Sequence, residues 1–186
     1  MLMKIACILG SPRPNGYSAR IAESFCRTAA EKKADIKTYL LNSLAFRGCQ
    51  ACMDCKNRSE FCTMRDVIFE VLDEVKRSDI AVLASPVYYG DVSSQLKAFI
   101  DRTFCYLTPD FKSRLAPGKK LVMILAQGDP DEKHFMDIFP RYRQFFESTG
   151  FKECHLIRAC DTREEKSGTV ASAIEEAAAL AIRLCG

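Results

Sequence analysis

Three stretches of this 186-residue chain combine residue types and spacings that can do chemistry. The first is Gly10-Ser11-Pro12-Arg13-Pro14-Asn15-Gly16-Tyr17-Ser18, directly after the apolar run Ile5 to Leu9. A buried strand that ends in a Gly/Ser/Asn-rich turn and then opens a helix is a phosphate cradle. The first N–H groups of a helix have no partner within it, and the helix dipole adds partial positive charge there. Gly10 and Gly16 let the backbone come close to an anion. Ser11, Asn15 and Ser18 can donate hydrogen bonds, and Arg13 adds a full charge on a planar fork. The stretch fits neither the Walker pattern nor G-x-G-x-x-G, and it suits the phosphate of a mononucleotide. The plain alternative is a polar turn between a strand and a helix.

The second stretch is Ser85-Pro86-Val87-Tyr88-Tyr89-Gly90-Asp91-Val92-Ser93. Pro86 and Gly90 shape a turn, Tyr88 and Tyr89 offer flat π surfaces, and Val87 sits between them and the proline. That combination suits a planar heteroaromatic ring, although two tyrosines near a turn are as readily packing residues. The third stretch is Cys49-x2-Cys52-x2-Cys55-x6-Cys62. Four thiolates within one loop can wrap a single centre, and soft sulfur ligands favour zinc or iron–sulfur. The compact C-x2-C-x2-C run is ferredoxin-like, whereas zinc sites more often use two separated C-x2-C pairs. Free thiols and a disulfide remain the alternatives.

These stretches need elements to hold them. Met3–Leu9 reads as a buried strand, and Ile36–Leu41, Ile80–Ala84, Leu121–Ala126 and Cys154–Ala159 read as four more strands. Helical periodicity covers Ser18–Lys33, Val67–Arg77, Ser93–Phe104, Phe135–Thr149 and Thr169–Leu184, leaving 42–65 as a long cysteine-bearing loop. Five βα units in series predict an α/β fold with a parallel sheet covered on both faces. In such sheets ligands sit beyond the carboxyl ends of the strands, at the topological switch point. The first and third strand-to-helix loops therefore meet, and Gln127-Gly128-Asp129-Pro130, after the fourth strand, forms a third wall.

Length suits a single domain over 1–186, with no linker or repeat. A net charge of +3 without a basic run gives no reason to expect nucleic acid. No apolar stretch reaches the length of a membrane span, and the N-terminus does not read as a signal peptide. Ten cysteines without an export signal predict a reducing, cytoplasmic setting. Cys7, Cys26, Cys105, Cys154, Cys160 and Cys185 are scattered and read as small buried hydrophobes. No acid–base residue is compelled, and neither His134 nor His155 is placed as one.

Gly10-Ser11-Pro12-Arg13 with Asn15-Gly16, then Ser85 to Gly90, then Gln95-Leu96-Lys97-Ala98-Phe99-Ile100-Asp101-Arg102, resembles the NADPH-dependent FMN reductase family of flavodoxin-like proteins. The resemblance runs over nearly the whole chain. It implies a flavodoxin-like three-layer sandwich with a five-stranded parallel sheet in order 2-1-3-4-5. It further implies FMN held at its phosphate by Ser11, Arg13, Gly16, Tyr17 and Ser18, and at its ring by Pro86, Val87, Tyr88 and Tyr89. Pro14 and Tyr17 depart from the family's usual basic and small polar residues. With the compact cysteine run, the chain also resembles the iron–sulfur flavoprotein branch, which implies a 4Fe–4S cluster on Cys49, Cys52, Cys55 and Cys62. The expected activity is electron transfer from NAD(P)H through FMN to flavin, quinone or another small acceptor. The alternative is an electron carrier fed by ferredoxin. A homodimer is implied by the resemblance alone.

Overall fold

Apolar runs become the middle strands of a parallel sheet, where both faces are covered, and more polar, more exposed strands form its two edges. In the computed structural model, which describes residues 2–163 and 168–186, these strands are β1 (Lys4–Leu9), β2 (Asp35–Leu40), β3 (Ile80–Tyr88), β5 (Lys119–Ala126) and β6 (Phe151–Ala159). They pair in parallel in the order β2-β1-β3-β5-β6. This is the five-stranded flavodoxin-like order expected. One short strand, β4 (Asp91–Val92), is added antiparallel to the end of β3.

Helices α1 (Tyr17–Glu31) and α6 (Thr169–Cys185) cover one face. There Ile21, Phe25 and Ala29 pack with Ala177 and Leu180 on Ile5, Cys7, Val82 and Ile124. Phe25 is fully buried, and burial of such a ring stabilises by about 1.5–3 kcal/mol. On the other face lie α3 (Ile68–Arg77), α4 (Ser94–Arg102) and α5 (Ile138–Thr149). Leu72, Leu96, Phe99 and Phe146 cover Ala6, Ile8, Leu83 and Met123. The stretch after β2 contains one helical turn, α2 (Asp54–Asn57).

Several element ends shift by one to three residues, α5 starting at Ile138 and β6 at Phe151 among them, and three boundaries next to the site differ in ways that matter. The third strand does not stop at Ala84. It continues, with Ser85 opposite Leu125 and Pro86 opposite Ala126. Pairing with β1 ends at Ala84, so beyond it β3 keeps one parallel neighbour, an arrangement that tolerates a proline lacking its N–H. Ser93 is the cap of α4, not part of it, because its side chain accepts from the Leu96 N–H. At its far end α4 tightens into a 3₁₀ turn, Thr103–Tyr106.

Candidate functional site

The switch point lies between β1 and β3, where the chain leaves β1 toward β2 and later returns on its other side. The loop after β1 is braced from within. Ser11 Oγ donates to the Arg13 carbonyl at 2.9 Å and accepts from the Arg13 N–H at 3.0 Å. The Gly16 N–H closes the same turn on Arg13 O at 3.1 Å. The Ser11 hydroxyl, expected as a phosphate donor, is thus occupied in shaping the loop. Gly16 caps α1 without a side chain, so the helix's first N–H groups face the loop. A Cβ on Gly16 would stand 2.8 Å from Ser11 Oγ. Gly10 is packed as tightly: its missing Cβ would lie 2.7 Å from Leu96 Cβ. Ser93 Oγ donates to the Gly10 carbonyl at 2.7 Å, and the Ser93 N–H reaches Ser85 Oγ at 2.9 Å. The start of α4 is therefore tied to the phosphate loop.

Beyond Pro86, Val87 and Tyr88 pair back on Val92 and Asp91. The two residues between them, Tyr89 and Gly90, have φ of +52° and +84°, the signs demanded by a two-residue hairpin turn of the primed kind. Gly90 adopts this readily; Tyr89 does so at a cost and is thrown fully into solvent. Asp91 anchors the hairpin to α5, accepting from Tyr142 Oη at 2.9 Å and Arg141 Nη1 at 3.0 Å. Burial by itself would raise the Asp91 pKa. The Val92 N–H, Arg141 and Tyr142 outweigh it and hold the carboxyl below its ordinary value.

Between the two loops lies an open cavity of about 530 Å³, within the range of small-molecule sites. Ser11, Arg13, Asn15, Gly16, Tyr17 and Ser18 line one part of it; Pro86, Val87 and Tyr88 line another, with Gly128 at the third wall. Of the residues singled out in the sequence, Tyr89, Gly90 and Gln127 do not line it. Gln127 is buried and folds its own loop, donating to the carbonyls of Asp129 and Asp131 and accepting from Arg158. Four lining residues were not foreseen: Arg20, Ala126, Thr162 and Arg163. Arg20 stacks its guanidinium 5.6 Å from the Tyr17 ring centre, one helical turn along. Thr162 and Arg163 follow β6, whose carboxyl end opens on the same edge of the sheet. The cavity thus joins a helix N-terminus, cationic side chains and a partly apolar slot, the layout that phosphate on a flat ring would fill.

A family model described as NADPH-dependent FMN reductase matches residues 3–146. The chain belongs to this family. An iron–sulfur flavoprotein of Archaeoglobus fulgidus is 33% identical to it over 131 residues, 70% of this chain and 58% of that protein. One of Methanocaldococcus jannaschii is 35% identical over 101 residues, 54% of this chain and 52% of its own length. The chain thus spans little more than half the length of these relatives. In fold it is similar to an FMN-dependent NADH-azoreductase of Bacillus anthracis solved in complex with FMN. The TM-score is 0.78 at 17% identity, with 98% of this chain and 100% of that one covered.

This FMN reductase-family chain carries a second, separate cavity. It measures about 120 Å³ and is lined by all four clustered cysteines together with Arg102, Phe104 and Cys105. Cys49 and Cys52 are exposed; Cys55 and Cys62 are half-buried. Ala51 and Met53 adopt left-handed φ of +53° and +59° on either side of Cys52 and turn the chain around it. Cys105, read from sequence as a scattered core thiol, comes to this cavity through the turn after α4, and burial pushes its pKa up to about 12. Burial also raises the Cys55 thiol.

Two cations are bonded to backbone carbonyls of the segments that carry these cysteines. Lys56 is buried, donates to the carbonyls of Phe104 and Leu107, and lies 3.8 Å from the Phe104 ring centre. Arg114 Nη1 donates to the carbonyls of Cys55, Cys105 and Leu107. Among the described residues no carboxylate pairs with Lys56 or Arg114. Burial lowers the Lys56 pKa, as expected for an ammonium with only neutral acceptors. All ten cysteines are free. Among the described residues no group of three or more His, Cys, Asp or Glu side chains is arranged to hold a metal ion. What the structure does bring together is the donor chemistry: four soft sulfurs line one cavity, and thiolates of this kind are ligands for soft metal centres.

Proposed function

We propose that this protein is an FMN-dependent oxidoreductase that draws electrons from NAD(P)H and passes them to a small acceptor such as a flavin or quinone. The observation that carries this reading is the single cavity formed by the amino end of α1, Arg13 and the Pro86–Tyr88 hairpin at the β1/β3 switch point. FMN, when bound, supplies a ring that accepts and donates electrons singly or in pairs. The protein's part is binding and orientation. The free N–H groups of α1 and the Arg13 guanidinium hold the phosphate, and Asn15, Tyr17 and Ser18 complete its surroundings. Pro86, Val87 and Tyr88 bound the ring, Gly128 closes the third side, and Asp91 keeps the hairpin seated on α5. Tyr89 and Gly90 shape the turn from outside the cavity, and Gln127 braces the wall behind Gly128. No side chain in the cavity is cast as an acid or base, since the cofactor's redox chemistry demands none from the protein.

A second reading has its own support: the protein is an iron–sulfur flavoprotein whose Cys49, Cys52, Cys55 and Cys62 hold a 4Fe–4S cluster, with ferredoxin as donor. The shared cavity of the four sulfurs and the uncompensated Lys56 and Arg114 favour it. So do the names of the relatives in Archaeoglobus and Methanocaldococcus. A homodimer and a cytoplasmic setting belong to the same proposal; among the described residues no helix is long and apolar enough to cross a membrane. Anaerobic purification followed by a visible spectrum, FMN release, and iron and sulfide analysis tests both readings. FMN without iron leaves the first and removes the second. Protein that neither retains nor rebinds FMN overturns the first.

A further inference from the structure

Arg102 ends α4 with its side chain fully buried, and every arm of its guanidinium is committed. Nη1 and Nη2 hold the Asp66 carboxylate as a fork, at 2.8 and 3.1 Å. Nη1 also donates to the Arg47 carbonyl at 2.9 Å, and Nη2 to the Met64 carbonyl at 3.2 Å. The remaining arm, Nε, donates to Cys62 Sγ at 3.2 Å. Arg47 precedes the cysteine run, whereas Met64 and Asp66 follow it. The Arg47 N–H itself meets Asp66 Oδ2 at 3.3 Å. One side chain therefore closes the cysteine loop at both ends and fastens it to the helix that also touches the phosphate loop.

A clamp for the loop would need only the carboxylate and the two carbonyls. The donor on sulfur adds a charge effect. A desolvated guanidinium beside a ligand sulfur favours additional negative charge on the centre that the sulfur holds. Hydrogen bonds to cluster sulfurs act on the reduction potential in this direction.

We propose that Arg102 is a positioning residue for the cysteine centre: it keeps the four sulfurs facing one cavity and, by donating to Cys62, makes a cluster held there easier to reduce. This rests on the cluster reading above. The N–H···S contact is stronger to the more negative, reduced state, so its loss lowers the potential.

The test uses anaerobically purified wild type, Arg102→Gln and Asp66→Asn, each assayed for FMN, iron and sulfide. Each is then titrated with dithionite in the presence of mediators while the reduced cluster is followed by electron paramagnetic resonance. Arg102→Gln is expected to keep wild-type FMN, because the flavin loops lie elsewhere, and to reduce at a lower potential. A tenfold fall in the one-electron reduction equilibrium, about 59 mV, is the size expected. Asp66→Asn keeps the guanidinium but removes its neutralising carboxylate, so its potential should rise; it decides the matter if the glutamine variant does not fold. A potential unchanged in Arg102→Gln, or unchanged or lowered in Asp66→Asn, overturns the role given to Arg102. Wild type holding FMN but neither iron nor sulfide instead removes the cluster reading, and this proposal with it.

Discussion

Replacing Gly16 with alanine tests how the phosphate loop is built. Gly16 has φ −66° and ψ 159°, a conformation open to any residue, so alanine brings no backbone strain. The added methyl acts only through space, 2.8 Å from Ser11 Oγ and 3.2 Å from the Arg13 carbonyl. Ser11 Oγ must move, and it carries two hydrogen bonds of the loop. At about 0.5–1.5 kcal/mol each, their loss costs about 1–3 kcal/mol. Charged to cofactor binding, this weakens FMN by about 5- to 150-fold. The assay is quenching of FMN fluorescence on binding, with riboflavin as the control, since riboflavin lacks the phosphate that the loop should hold. Ser11→Ala removes the same two bonds without the clash. The double variant Ser11→Ala/Gly16→Ala should therefore be little worse than either single change, giving a coupling energy of about 1 kcal/mol or more in the double-mutant cycle. Additive effects, or FMN affinity in Gly16→Ala within twofold of wild type, would refute this account of the loop.

Arg13→Ala should weaken FMN by about 1–3 kcal/mol through loss of a charge-assisted contact, and fluorescence titration at two salt concentrations checks that the lost term is electrostatic. Changing Cys49, Cys52, Cys55 or Cys62 singly to serine should bleach iron–sulfur absorbance while leaving most of the FMN, as read from the spectrum after anaerobic purification. Asp91→Asn should cost about 0.5–1 kcal/mol in urea unfolding at neutral pH, because the pair with Arg141 is more than a third exposed and screened by water. Because the folded-state pKa of Asp91 is depressed, its contribution is present above the ordinary value of 3.8 and lost as pH falls through the lower folded value. The gap between wild type and variant should thus narrow below about pH 4. Phe25→Ala should lower stability by about 3–5 kcal/mol, and an unchanged urea midpoint would mean that the α1–sheet packing is misread.

The middle strands were legible because both faces of a parallel sheet are buried there, which leaves apolar runs such as Ile80–Ala84 that are too short for an ordinary helix. The extension of β3 through Pro86 was not legible, since Ser85-Pro86 has turn chemistry and only the early end of β1 makes room for it. Tyr89-Gly90 hid its primed turn for a related reason: a tyrosine is rarely found where φ is positive. In the cavity, residues beside the expected turns were found, whereas Thr162 and Arg163 arrive from a loop of no distinctive composition. Their signal was topological, because every strand of a parallel sheet ends on one edge. Gln127 looked like a wall and proved a brace. Arg102 was read only as part of a family-like helix. Its bonds to Asp66 and Cys62 depend on a fold that brings separate segments together, and no spacing rule announces them.

Helix α4 joins the loop after β1 to the cysteine loop: its Ser93 cap grips Gly10, and its last residue grips Cys62. At 1.5 Å per residue the nine residues from Ser94 to Arg102 make a strut about 13 Å long. The two sites therefore share one ruler. A slip or kink of α4 would displace the loop after β1 and the sulfurs together, so the spacing between them is a property of one helix and not of two loops. For engineering, the transplantable unit is the cysteine segment together with α4. Grafting the loop alone onto a flavodoxin-like scaffold would deliver four sulfurs without the rod that sets how far they stand from the flavin pocket.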